Sequence, residues 1–90
     1  MASNFKILVH RNSDSLHLKL IGDFDGTSAH EVLNALDKNA HGVRKVYIHT
    51  SCLKEVSPFG RDVFRSRISA ANGGLKNIQF TGEAAEELCP

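Results

Sequence analysis

Leu16, Leu18 and Leu20 alternate along one face of residues 15–24, and the chain then passes through GDFDGT directly into a pattern of helical spacing, where Ala29, Val32, Leu33, Leu36 and Ala40 recur on one face. A period of two followed by a period near 3.6 reads as a half-buried strand feeding an amphipathic helix. The same sequence of patterns then repeats. Residues 43–49 read as a strand with Val46 and Ile48 on one face, and residues 57–71 as a helix with Phe59, Val63, Phe64, Ile68 and Ala71 on its buried stripe. Asn72, Gly73 and Gly74 end that helix, residues 75–81 form a strand carrying Ile78 and Phe80, and residues 83–88 form a short helical tail. Two successive strand-helix-strand units with right-handed crossovers place both helices on the same face of a sheet whose last three strands are parallel.

Ahead of these units, Phe5, Ile7 and Val9 alternate in a further strand, joined to the next by RNSD. So short a link cannot carry a parallel crossover, so the first two strands form an antiparallel hairpin. The expected architecture is α/β: a four-stranded mixed sheet with helices packed mainly on one face, in the order β-β-α-β-α-β-α. It forms one domain over residues 1–90, with its core between about Phe5 and Leu88. Polar residues interleave in the strands at His17, Lys19, Tyr47, His49 and Gln79, so the face away from the helices is expected to be at least partly wet.

Local signals set the helix ends. Ser28 with Glu31 makes a capping-box pattern and Gly42 stops the first helix. In KEVSPFGRDVF, residues 54–64, Ser57 is placed as N-cap and Pro58 at the first helical position.

Ninety residues leave little room for an elaborate buried active site. A hydrophobic share of 41% and a charged share of 23% are those of an ordinary globular chain, which argues against disorder. Eleven basic and ten acidic residues, a formal charge of +1, give no broad electrostatic footprint for nucleic acid or an anionic membrane. The apolar stretches are of strand length, and the N-terminal residues lack a basic segment followed by a long apolar run. No membrane insertion is expected and the cytoplasm is the expected location. Cys52 and Cys89 lack metal spacing and are read as free thiols in a reducing compartment.

Three stretches carry a resemblance. LHLKLIGDFDGTSAHEVLNAL resembles the strand-turn-helix signature of the STAS domains, the SpoIIAA-like fold of bacterial anti-sigma factor antagonists. VRKVYIHTSCLKEVSPFGRDVF is similar to the family's second block: a hydrophobic strand, a loop of about ten residues and a helix opening with Asp-Ser-Ser-Gly. GGLKNIQFTG resembles its final strand. Under this resemblance Gly22 and Asp25 match the first turn and Gly60 matches the motif's glycine. The motif's aspartate then falls on Ser57, its phosphorylated serine on Pro58 and its second serine on Phe59, while the aspartate of the preceding strand falls on His49. The acceptor hydroxyl and two nearby carboxylates are therefore absent. Proline has neither an oxygen nucleophile nor an N–H, so phosphorylation of the family type does not operate at position 58.

The resemblance implies a non-catalytic module of bacterial signalling that docks a protein partner: an anti-sigma factor or serine-kinase-like protein, a sensory complex or a transporter component. The residues expected to meet it are Asp23, Asp25, Thr27, Lys54, Ser57, Pro58, Phe59, Gly60, Arg61 and Arg65. Ser57, or Thr50 or Ser51 near it, is the alternative phosphoacceptor of a phosphorylation-regulated antagonist. The resemblance also admits a nucleotide- or anion-binding sensor and a stand-alone transporter subunit.

The remaining residue clusters point less firmly to chemistry. Asp23 and Asp25 belong to a turn and helix entry, with no third ligand at matching spacing. Asp62, three residues before Arg65, is placed to neutralise part of an Arg61 and Arg65 patch. His10, His17 and His49 are assigned to strands and His30 and His41 to the first helix, with no pair at the helical or tight-loop spacing of a strong metal site. No base is identified that would activate Thr50, Ser51 or Cys52. No enzyme activity, metal or cofactor is expected.

Overall fold

The computed structural model describes residues 4–39, 42–70 and 78–88. Its elements are β1 (Lys6–Arg11), β2 (Ser15–Phe24), α1 (Gly26–Asn39), β3 (Lys45–Val56), α2 (Pro58–Ala70), β4 (Ile78–Thr81) and α3 (Ala85–Leu88). The strands form one sheet in the order β1-β2-β3-β4; β1 runs antiparallel to β2, and β2, β3 and β4 are parallel. This is the mixed α/β sheet expected from the periodicity. The Asn12 N–H donates to the Ser15 carbonyl at 2.8 Å, closing the tight turn that makes β1 and β2 a hairpin.

Register explains the core. Leu16 pairs with Val46 and Val46 with Ile78, while Leu18 pairs with Ile48 and Ile48 with Phe80, so alternate residues of three strands share one face. On that face lie Ala29, Val32 and Leu36 of α1, Phe64 and Ile68 of α2 and Leu88 of α3. Phe24 meets Phe5 and Phe64 edge to face, with centroids 6.0 and 5.6 Å apart, and Phe64 meets Phe80 in the same manner at 6.0 Å. Each fully buried Leu, Ile or Phe side chain contributes about 1.5–3 kcal/mol relative to exposure. The opposite face carries His17, Tyr47 and His49, each partly exposed, with Lys19 and Gln79 in solvent, as the polar interleaving predicts.

Several local expectations are corrected. α1 begins at Gly26, two residues before the predicted start, because Asp25 and not Ser28 is its N-cap: the Ser28 N–H donates to Asp25 Oδ1 at 2.9 Å. Ser28 is buried at the third helical position instead, with its hydroxyl donating to the Asp23 carbonyl at 2.9 Å. The strand predicted to stop at His49 continues to Val56, so the expected loop is largely strand. Phe59, assigned to the buried stripe of the second helix, is 70% exposed. The line of closest approach on α2 runs through Gly60, Phe64 and Ile68, all buried and four residues apart, and Phe59 precedes it at the rim. Val9 lies opposite Leu18 at the sheet margin and remains 47% exposed. Ala40, His41, Ala71, the turn at residues 72–74, the predicted strand start at 75–77 and Cys89 lie outside the described residues.

Candidate functional site

β2 and β3 end side by side, and each leads directly into a helix. The Ser57 N–H donates to the Phe24 carbonyl at 2.8 Å, the last bond joining the two strands. Asp25 then caps α1, and Ser57 caps α2 by accepting the Gly60 N–H on Oγ at 3.0 Å, as the motif predicts. The carbonyls of the same residues accept the first helical bonds: Ala29 N–H to Asp25 and Arg61 N–H to Ser57, each 2.9 Å. The Ser28 backbone N–H, with help from the Ser28 hydroxyl and the Thr27 N–H, holds the Asp25 carboxyl below its ordinary proton affinity, against an opposing effect of burial.

The two helix starts touch. A Cβ added to Gly60 would lie 2.5 Å from the Asp25 carbonyl carbon, so this approach requires glycine. The Phe59 ring lies over Gly26, where an added Cβ would stand 2.7 Å from Phe59 Cε2. Asp25, Thr27, Ser57, Pro58, Phe59 and Gly60 are thus brought to one end of the sheet, with Thr27, Pro58 and Phe59 exposed.

The rest of the expected contact residues spread outward from this centre. Asp23 pairs with Glu55 near the ends of β2 and β3. Lys54 falls in a register shift, between Leu53 opposite Gly22 and Glu55 opposite Asp23, and is turned out to solvent. Arg61 Nε meets Asp62 Oδ1 at 3.2 Å, so Asp62 pairs with Arg61 and not with Arg65, a correction of the expected pairing. Such a pair contributes little. Arg65 is exposed one turn further on. Beside these residues an open cleft of about 610 Å³ runs between the far half of β3, the start of α2 and the segment of Glu83, Ala84 and Glu87. Cys52 is an exposed free thiol.

Sequence spacing did not reveal a second cluster, on the open face of the sheet. His17 Nδ1 lies 3.0 Å from His49 Nε2, and His49 Nδ1 lies 2.7 Å from Thr81 Oγ1. Tyr47 stacks on His17 with centroids 4.7 Å apart and planes 15° apart, and His10 lies at 6.2 Å on the other side. Desolvation is the main cause lowering the proton affinity of His49, followed by repulsion from His17 and Lys19. Strand register makes this row: His10 pairs with His17, and His17 with Tyr47, two positions from His49. Even so, no group of three His, Cys, Asp or Glu residues among the described residues has the geometry to hold a metal ion.

No protein-family model matches the sequence. No curated protein matches it either. Solved structures do. A structure of Mglu is 21% identical over 84% of this chain, with a TM-score of 0.73, and a structure of Mglu in its L-glutamate binding form is 15% identical over 93%, with a TM-score of 0.69. The match spans only 19% and 28% of those two chains. A DUF3478-family protein from Shewanella loihica, described as having a SpoIIAA-like fold, is 17% identical over 92% of this chain and 73% of its own, with a TM-score of 0.62. The chain therefore has the SpoIIAA-like, STAS-type fold that the sequence blocks suggest.

Proposed function

We propose that this chain is a non-catalytic protein-interaction module of the bacterial signalling type, acting in the cytoplasm, which docks a protein partner at the end of the sheet where α1 and α2 begin. The observation that carries this reading is Phe59. It is 70% exposed at the first turn of α2, beside the two helix caps and close in sequence to Arg61, while Phe64, five residues further on, is fully buried. Exposed aromatic side chains flanked by arginine supply the desolvated anchor and polar rim of many interfaces. The chemistry of the site agrees, because position 58 is proline and the Ser57 hydroxyl is occupied as a helix cap. Docking is then constitutive, or is controlled through the partner. Among the described residues no helix is long and apolar enough to cross a membrane.

The test compares immobilised wild-type chain with its Phe59→Ala variant for partner capture from native cell extract. A protein held by the wild type and depleted on the variant is the expected result. Equal capture by both, or a phosphate found on Ser57 in protein isolated from the cell, contradicts the reading.

A further inference from the structure

β3 runs from Lys45 to Val56, but β4 accompanies it only from Val46 to His49. On its other side, β2 stays paired as far as Val56. From Thr50 onward one edge of β3 has no described strand beside it, because the chain leaves β4 at Gly82. There a φ of +99° and the missing Cβ let the backbone pass against Thr50 and Ser51; an added Cβ would lie 2.5 Å from the Ser51 nitrogen. The cleft of about 610 Å³ lies along this edge.

An unpaired edge is a template of N–H and C=O groups for an added strand, and extended peptides use such edges by β-augmentation. Residues 52–56, beyond the contact with Gly82, span roughly 13 Å, enough for a short peptide segment. The charges on the walls select its chemistry: Glu55, Glu83 and Glu87 line the cleft against Lys54, with half-buried Leu53 and Val56 between them.

We infer that the edge of β3 from Cys52 to Val56, beyond the stretch that Gly82 covers, receives an extended, lysine- or arginine-bearing segment of a protein partner as an added strand. This rests on the docking function proposed above and names the chemistry of the segment that docks.

The probe is a blocked, fluorescein-labelled peptide of alternating lysine and valine, titrated into the full chain at low salt. Its companions are the same peptide N-methylated at alternate amides and one with glutamate in place of lysine. The expected result is saturable binding, with amide shifts at residues 52–56 and 83–87, weakened at least about tenfold by N-methylation, by the charge swap and by Glu83→Lys with Glu87→Lys. Absence of saturable binding overturns the inference, as does binding that ignores N-methylation, because that is charge attraction without strand pairing. Shifts at the edge that grow with protein concentration alone assign it to a second copy and also overturn it. Partner capture through Phe59 that survives the double glutamate substitution removes the edge site and leaves the docking function standing. Strand-paired peptide binding by a chain that captures no partner keeps the edge site and overturns the docking function.

Discussion

Gly60 and Asp25 are in backbone contact across the two helix starts, so close that a methyl group on Gly60 would stand 2.5–2.7 Å from the Asp25 Cα, carbonyl carbon and oxygen. All three atoms belong to backbone that is held by the α1 cap and its first helical bond, and none can swing aside as the end of a flexible side chain does. Gly60→Ala is therefore expected to destabilise the chain by about 1–3 kcal/mol through overpacking, despite alanine's better helix propensity. A urea midpoint equal to or above the wild type would show that the helices separate without cost.

Asp25 links this contact to acid stability. Its carboxyl is held below the ordinary value of 3.8 by the Ser28 N–H above all, so its contribution is fully present above pH 3.8 and is lost as pH falls through the lower folded-state value. Asp25→Ala should cost about 0.5–2 kcal/mol at pH 7, the usual range for losing an N-cap. The difference from wild type should shrink below pH 3.8. Denaturation midpoints at pH 7 and pH 3 measure both, and a difference independent of pH would remove the carboxylate from the account.

The two helix starts show what was legible in the chain. Ser57 and Pro58 fit their expected places, because serine and proline have few other uses before an apolar helical run. Ser28 misled, because Asp25, three residues earlier, offers the stronger acceptor and Ser28 then finds the Asp23 carbonyl from inside the helix. Phe59 misled for a different reason. Its spacing from Val63 is helical, but burial depends on where the sheet ends beneath the helix, which periodicity does not encode. The His17 and His49 side-chain contact joins residues 32 apart in the chain, brought together because β2 and β3 pair with His17 opposite Tyr47 and Lys19 opposite His49. The signal for it was shared strand parity, visible only once the parallel register is known.

His49 makes the open face sensitive to pH. Burial, then the neighbouring His17 and Lys19 charges, lowers its proton affinity below the ordinary 6.5; around it stand His17, Tyr47 and Thr81, with Lys19 opposite in the register. The unfolded chain thus takes up a proton that the folded chain resists. Stability should be level above pH 6.5 and fall as pH drops through 6.5 toward the folded-state value. His49→Gln should cost about 1 kcal/mol at pH 7.5, where a hydrogen bond is lost, and flatten the decline toward pH 5.5. A variant with the undiminished wild-type slope would assign the decline to another group.

Phe59 and Phe64 lie on the same helix and differ in what removing the ring should do. Phe64 is fully buried between Phe24 and Phe80, so Phe64→Ala should cost about 3–5 kcal/mol and leave the chain poorly folded. Phe59 is 70% exposed and lies over Gly26, so Phe59→Ala should shift stability by no more than about 0.5 kcal/mol. That separation is what makes Phe59→Ala a usable probe of docking, since a loss of partner capture at unchanged stability reports on the surface and not on the fold. If Phe59→Ala proves as costly as a core truncation, the ring packs inward in solution, and the interface must be sought around Arg65 and Thr27 instead.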